Sequence, residues 1–239
     1  MTGKRIKVLL VLMLTAVLFF SATASLGVQA TEAKTAYVDI GSGVLNVRSG
    51  AGTNHKKIGT LENKTKLTVY SQTKNGWSEI KLNKKKGYVL TKYLRFYHTM
   101  SNTDAKAITD QAIGTMSKLK YDKTYTKKEI HSILSPSYTT AYIDNLIKND
   151  MHPTGKKDKQ KNALYEWIPT DFPVYRIWGF DWKSKNNPKP PSIEYYTKSG
   201  VQYLNVSQVS KDDMYDYNKQ LSLIKQDSKS NWKIYNYKW

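Results

Sequence analysis

Apolar and polar residues alternate in short runs from Tyr37 to Leu94, with turn residues between the runs at intervals near ten. Tyr37-Val38-Asp39-Ile40 precedes Gly41-Ser42-Gly43, and Leu45 and Val47 alternate with Asn46 and Arg48. Such a period of two puts one face in a core and the other in water. Leu67 and Val69 share a face, as do Ser78, Ile80 and Leu82. Lys74-Asn75-Gly76 supplies an Asn-Gly pair suited to a hairpin turn, since both residues tolerate positive φ. Gly87 is read as the end of a basic turn, Asn83 to Lys86. These signals predict a small all-β unit over residues 31–95, near the lower size limit for an independent core.

The period changes after Leu94. Residues 96–104 read as a linker, and a helical repeat follows at Ala105, Ile108, Ala112, Met116 and Leu119, with Thr103 or Asp104 as cap. Thr126-Lys127-Lys128-Glu129 has the form of a capping box. Ser135-Pro136 is expected to open a third helix, serine as cap and proline at the first helical position. A basic, mobile loop is expected around Lys156, Lys157, Lys159 and Lys161. From Pro173 onward the pattern is that of strands: Val174 to Trp182, Ile193 to Thr197, Val201 to Ser210, Tyr217 to Gln226 and Trp232 to Tyr237. Helices followed by an antiparallel meander predict an α+β domain over 105–239, its helices packed on one face of a curved sheet. The fold class is therefore multidomain, a small β-barrel followed by an α+β domain.

Residues 1–30 read as a signal peptide. Lys4, Arg5 and Lys7 precede the apolar stretch Val8 to Phe20, and Val28-Gln29-Ala30 places small residues for cleavage after Ala30, with Ala22-Thr23-Ala24 as a second possible site. An uncleaved anchor is the competing reading, but the stretch falls short of the ~20 residues needed to span hydrocarbon. The expected location is outside the cell, secreted and wall-associated, with no stable membrane insertion after cleavage. With no cysteine among the 239 residues, disulfides, thiol nucleophiles and thiolate metal sites are excluded. A secreted chain of this kind suits a Gram-positive host.

The 38 basic and 19 acidic residues give a net charge of +19, of which the leader carries three basic groups and no acidic one. An excess of this size concerns partners rather than fold. No nucleic-acid motif is present, so anionic wall polymers are the expected polyanion, with solubility from scattered lysines as the alternative.

The run Leu45-Asn46-Val47-Arg48-Ser49-Gly50, then Ile58-Gly59-Thr60-Leu61, Trp77, Gly87-Tyr88-Val89 and Tyr93-Leu94 resembles the bacterial SH3 (SH3b) family. The resemblance implies an SH3-like barrel that binds peptidoglycan or targets its chain to the wall. By position it implies Asn46, Arg48, Trp77, Tyr88 and Tyr93 as groove-facing residues. Core packing competes with that role for Trp77 and Tyr93, and a bond to its own loop competes for Arg48. The order of the C-terminal elements and the ending Asn231-Trp232-Lys233-Ile234-Tyr235 resemble NTF2-like and cystatin-like domains. Residues 100–239 hold thirteen Tyr, five Trp and two Phe. An aromatic-rich sheet suits a glycan or peptide binder, with Trp178 and Trp182 as candidate ligand-facing residues. Plain β-propensity is the alternative.

Catalytic patterns are absent from the sequence. His55, His98, His131 and His152 fall in no His-x-Glu-x-x-His spacing, so no catalytic or metal-ligating residue is assigned and no cofactor is expected. The leading expectation is a non-enzymatic, wall-associated binding protein whose partners are peptidoglycan or anionic wall polymers, and another secreted protein as a further candidate. The alternatives are a peptidoglycan hydrolase with a catalytic C-terminal domain using Glu166 or a nearby aspartate, and a regulator or inhibitor of another secreted enzyme.

Overall fold

The structure is a computed structural model, and it describes residues 32–171, 173–183, 189–211 and 216–239. The leader expected at 1–30 lies outside them. Glu32–Trp239 pack as one compact unit.

Eight strands form the N-terminal half: β1 (Lys34–Val38), β2 (Val44–Arg48), β3 (Lys57–Glu62), β4 (Lys66–Val69), β5 (Ser71–Gln72), β6 (Trp77–Leu82), β7 (Lys85–Leu90) and β8 (Leu94–His98). A five-stranded sheet runs β3-β2-β7-β6-β5, and β1 pairs antiparallel with both β4 and β8. The alternation seen in the sequence is what the fold uses. Leu45 and Val47 are buried while Asn46 between them is exposed, and they join Ala36, Val38, Val69, Ile80, Val89 and Leu94 in one core. The turn between β6 and β7 is tighter than expected. Leu82 pairs with Lys85, and both intervening residues, Asn83 and Lys84, have positive φ, as a two-residue hairpin turn requires. Gly87 therefore ends no turn. It lies within β7 with the Val47 side chain so close that a Cβ would sit 2.6 Å from it.

The C-terminal half opens with α1 (Asn102–Met116), capped by Ser101, whose hydroxyl accepts the Asp104 N–H. The helix thus begins earlier than the expected Ala105, with Asp104 in its first turn rather than as its cap. Next come β9 (Tyr125–Thr126) and α2 (Lys127–Leu134), closed by the capping box read from the sequence: Thr126 N–H donates to Glu129 and Glu129 N–H to the Thr126 hydroxyl. The third helix, α3 (Thr140–Asp150), starts at Thr139 and not at Ser135-Pro136. A tertiary contact explains the delay. Ser137 and Thr139 exchange backbone hydrogen bonds with Ile234, which holds this stretch extended until Thr140.

The basic stretch expected as a mobile loop is largely a hairpin, β10 (Met151–Lys157) and β11 (Ala163–Trp167), with β9 as third strand. Its tip is closed by the Asp158 carboxylate, which accepts from Gln160 N–H and Asn162 N–H. No strand forms over Val174 to Trp182. Instead, the buried Asp150 carboxylate accepts the Val174 and Tyr175 N–H groups, and Tyr142 donates to the Tyr175 carbonyl. Burial pushes the Asp150 pKa up against the lowering effect of these bonds. Asp150→Ala leaves two donors without an acceptor, and a loss on the order of 3 kcal/mol is expected by urea titration. With its folded-state pKa raised, Asp150 stabilises the fold most below the ordinary aspartate value of 3.8, and less as pH climbs through the folded-state value. The gap between wild type and variant narrows accordingly on going from acid to neutral pH.

The final meander is β12 (Ser192–Lys198), β13 (Val201–Lys211), β14 (Asp216–Lys225) and β15 (Lys233–Lys238). Its inner face, with Leu204, Val206, Leu221, Leu223 and Ile234, forms one core with Ile130, Leu134, Tyr138, Ile143 and Leu146 of the helical region.

Phe96, Tyr97 and His98, expected within a linker, instead belong to β8 and pair with Thr197, Tyr196 and Tyr195 of β12. One seven-stranded sheet, β15-β14-β13-β12-β8-β1-β4, therefore crosses from the barrel into the C-terminal half.

Candidate functional site

Three of the residues expected in the barrel groove share the outer face of the five-stranded sheet. Asn46 and Arg48 stand two apart on β2, opposite in sense to the buried Leu45 and Val47, and Tyr88 is the cross-strand partner of Arg48. Arg48 donates to the His55 carbonyl at 2.8 Å, which ties it to its own loop. Beside Tyr88, Glu79 pairs with Lys86 at 2.9 Å, and the Lys86 ammonium lies over the Tyr88 ring. The Lys86 partner, aided by Ser71, holds the Glu79 carboxyl below its ordinary range. Trp77 is only 5% exposed, and Tyr93 packs against the barrel core beneath Lys92.

The two C-terminal candidates part company. Trp182 is half-buried, edge-on to Phe180 against the core. Trp178 is 47% exposed and stacks with the Arg176 guanidinium, whose other neighbour is the Tyr121 ring, itself 49% exposed.

For catalysis the geometry offers pairs. His152 Nε2 lies 3.1 Å from Glu166 across the β10–β11 hairpin, both half-exposed, and His131 lies 3.0 Å from Asp144. Asp150, next in sequence to the His152 region, is the buried acceptor described above. Among the described residues no three His, Asp or Glu side chains gather as metal ligands would.

A denser cluster, absent from the sequence expectations, stands where barrel and C-terminal strands meet. Alternation along β1, β8, β12 and β13 sends Tyr37, Asp39, Arg95, Tyr97, Glu194, Tyr196, Lys198 and Tyr203 to the face opposite the helices. The rings of Tyr37 and Tyr97 meet edge-on at 5.2 Å, Tyr97 and Tyr196 lie 5.8 Å apart, and Tyr196 and Tyr203 stack at 5.0 Å. The Arg95 guanidinium rests 4.1 Å above the Tyr196 ring and pairs with Asp39 at 3.1 Å and Glu194 at 3.4 Å. Lys198 reaches Asp39 at 2.7 Å, and Glu194 also accepts from Tyr97 and Asn205.

Partial burial pushes Asp39 up, but the bonds from Lys198 and Arg95 outweigh it and hold the carboxyl below its ordinary range. Burial pushes Tyr196 up to about 12 and raises Tyr97, so both phenols stay protonated at neutral pH. A cleft of about 570 Å³ opens here, walled by Tyr37 and Asp39 from the barrel side, Arg95 and Tyr97 from β8, and Glu194 from β12. Its signal in the sequence was the alternation Glu194-Tyr195-Tyr196-Thr197-Lys198. The matching half, Arg95-Phe96-Tyr97-His98, is too short a run to stand out beside Leu94.

Residues 43–95 match the family model of the bacterial SH3 domain. Over 66 residues the chain is 46% identical to a probable endopeptidase p60 of Listeria innocua, a stretch covering 27% of this chain and 14% of that protein. Over 51 residues it is 49% identical to a probable endopeptidase p60 of Listeria seeligeri, covering 21% and 10% respectively. The chain thus spans no more than about a seventh of the length of these relatives. No helix among the described residues is long and apolar enough to cross a membrane.

Proposed function

We propose that this chain is an exported, non-catalytic protein held at the bacterial cell wall by its SH3 domain, with peptidoglycan as the primary ligand and anionic wall polymers as a salt-sensitive secondary one. The observation that carries the reading is the match of residues 43–95 to the bacterial SH3 domain, together with a similarity to the Listeria p60 proteins that covers about a quarter of the chain. Asn46, Arg48 and Tyr88 on the outer sheet face are its contact residues, and Trp77 and Tyr93 support them from the core side. The leader at residues 1–30 supports export. Helices placed ahead of a four-stranded meander support an NTF2-like reading of the C-terminal half, whose exposed Tyr121 and Trp178, with the partly buried Arg176 between them, serve as a second binding surface. Tryptophan, tyrosine and arginine are the side chains that most often dominate such contacts.

Co-sedimentation of the chain lacking residues 1–30 with purified Gram-positive cell walls tests the reading. More than half of the protein is expected to pellet at low salt, with a fraction released as salt screens the lysines. A supernatant that retains all the protein at low salt would sink the proposal. Retention that vanishes wholly with salt assigns it to charge alone and removes the SH3 domain as the addressing element.

A further inference from the structure

The seam cleft combines three properties that together select a class of ligand. Tyr37, Arg95, Tyr97 and Glu194 come from both halves of the chain on one continuous sheet, so their spacing is set by strand pairing, while Asp39 and Asn63 are added from the loops that follow β1 and β3. Its one well-exposed ring is already immobilised: Tyr97, 43% exposed, has its edge against Tyr37 and its hydroxyl on Glu194 at 3.0 Å. A ring held in this way adds contact area without a further loss of side-chain freedom on binding.

The third property is charge. In a chain of net charge +19, this cleft holds Asp39 and Glu194 against Arg95, with Lys198 on Asp39 from outside the cleft wall, and Lys64 of the β3–β4 turn is its one further cation among the described residues. A polyanion gains little from Arg95 and Lys198, which already have carboxylate partners. A neutral, polyhydroxylated ligand gains instead from planar acceptors and donors fixed in place, as the Asn63 amide also is by the Ile40 N–H on its oxygen. Its apolar ring faces fit the aromatic wall. The cleft volume of about 570 Å³ falls within the range of small-ligand sites.

We propose that the seam cleft binds a short stretch of neutral glycan, with Tyr97 as the stacking platform and Glu194, Asp39 and Arg95 as hydrogen-bonding groups. The inference rests on the wall-binding reading and adds to it a second, saccharide-directed site outside the outer face of the five-stranded sheet. Both halves of the protein would then grip one wall, and the continuous sheet would fix the distance between the two contacts.

The test is calorimetric titration of the chain lacking residues 1–30 with a β-1,4-linked N-acetylglucosamine hexamer, and in parallel with poly(glycerol phosphate). Saturable hexamer binding is expected, with an affinity that changes less than about twofold between roughly 50 and 500 mM salt. Tyr97→Ala should weaken it by about tenfold or more, and Glu194→Gln by a comparable factor, while Tyr97→Phe, which keeps the ring, stays within about threefold of wild type. Absence of saturable hexamer binding overturns the proposal, as does binding that Tyr97→Ala leaves unchanged or that poly(glycerol phosphate) competes away. Circular dichroism of Tyr97→Ala must match wild type for its loss to count in favour, and Glu194→Gln carries the test if it does not. Failure here with wall pelleting intact refutes the seam site alone. Hexamer binding without wall pelleting refutes the targeting role of the SH3 domain and leaves the seam site standing.

Discussion

Leu94→Ala is expected to lower the unfolding free energy by about 2–5 kcal/mol and to do so in one transition that includes both halves of the chain. Leu94 is fully buried in the barrel core and opens β8, the strand shared with the C-terminal sheet. Removing its side chain leaves a cavity that the surrounding barrel, tied down by β1 on one side, fills only in part. Three residues further on, Tyr97 hydrogen-bonds into β12, so loss of the barrel strips the C-terminal sheet of its neighbouring strand. Urea unfolding followed by tryptophan fluorescence and by far-ultraviolet circular dichroism should give coincident curves, both shifted to lower urea in the variant. Trp77 reports the barrel and Trp167 the helical core. A variant in which Trp77 moves first while the C-terminal transition stays in place would show that β8 does not couple the two halves.

The second large effect falls on Tyr138, which is 0% exposed between α2 and α3, with its ring 5.3 Å from that of Tyr142. Tyr138→Ala is expected to cost about 3–5 kcal/mol, as truncation of a large buried aromatic does. Tyr138→Phe should go the other way. The phenol oxygen is buried with no hydrogen-bond partner among the described residues, and burial pushes its pKa well up. Deleting an unsatisfied buried hydroxyl removes a desolvation cost, so the phenylalanine variant is expected to equal wild type or exceed it by up to about 1 kcal/mol. Thermal melts of the two variants check the contrast, and a phenylalanine variant that loses 2 kcal/mol or more would mean the hydroxyl is bonded in solution.

The barrel was legible because its signals are local. Leu45 and Val47 bury and Asn46 does not, for the simple reason that successive side chains in a strand point to opposite faces. The Thr126–Glu129 capping box was equally legible, since both partners lie within one helical turn. Where the reading missed, a distant partner had intervened. Ser135-Pro136 carries a helix-start signal, yet Ile234 on the last strand holds the following residues extended and delays α3. Val174 to Trp182 has strand composition, yet the Asp150 carboxylate takes the N–H groups that a ladder would use.

The candidate sites divide the same way. Asn46, Arg48 and Tyr88 could be named from the motif because the motif is one domain folding on itself, although Trp77, from the same motif, is part of the buried structure. Of the two tryptophans named for the aromatic content of their region, Trp178 is exposed, whereas Trp182 packs inward. Nothing local marks Arg95 and Glu194 as partners, ninety-nine residues apart.

The sequence alone determined the barrel and its family, the absence of thiol chemistry, the excess of positive charge and the order of helices before strands, because each is set by residue type or by neighbours within a few positions. Tertiary structure decided that the expected linker is the shared strand β8, and so placed Tyr37, Arg95, Tyr97 and Glu194 around one cleft. Strand pairing joins residues by register and not by closeness in sequence, and that register exists only once both halves have folded against β8.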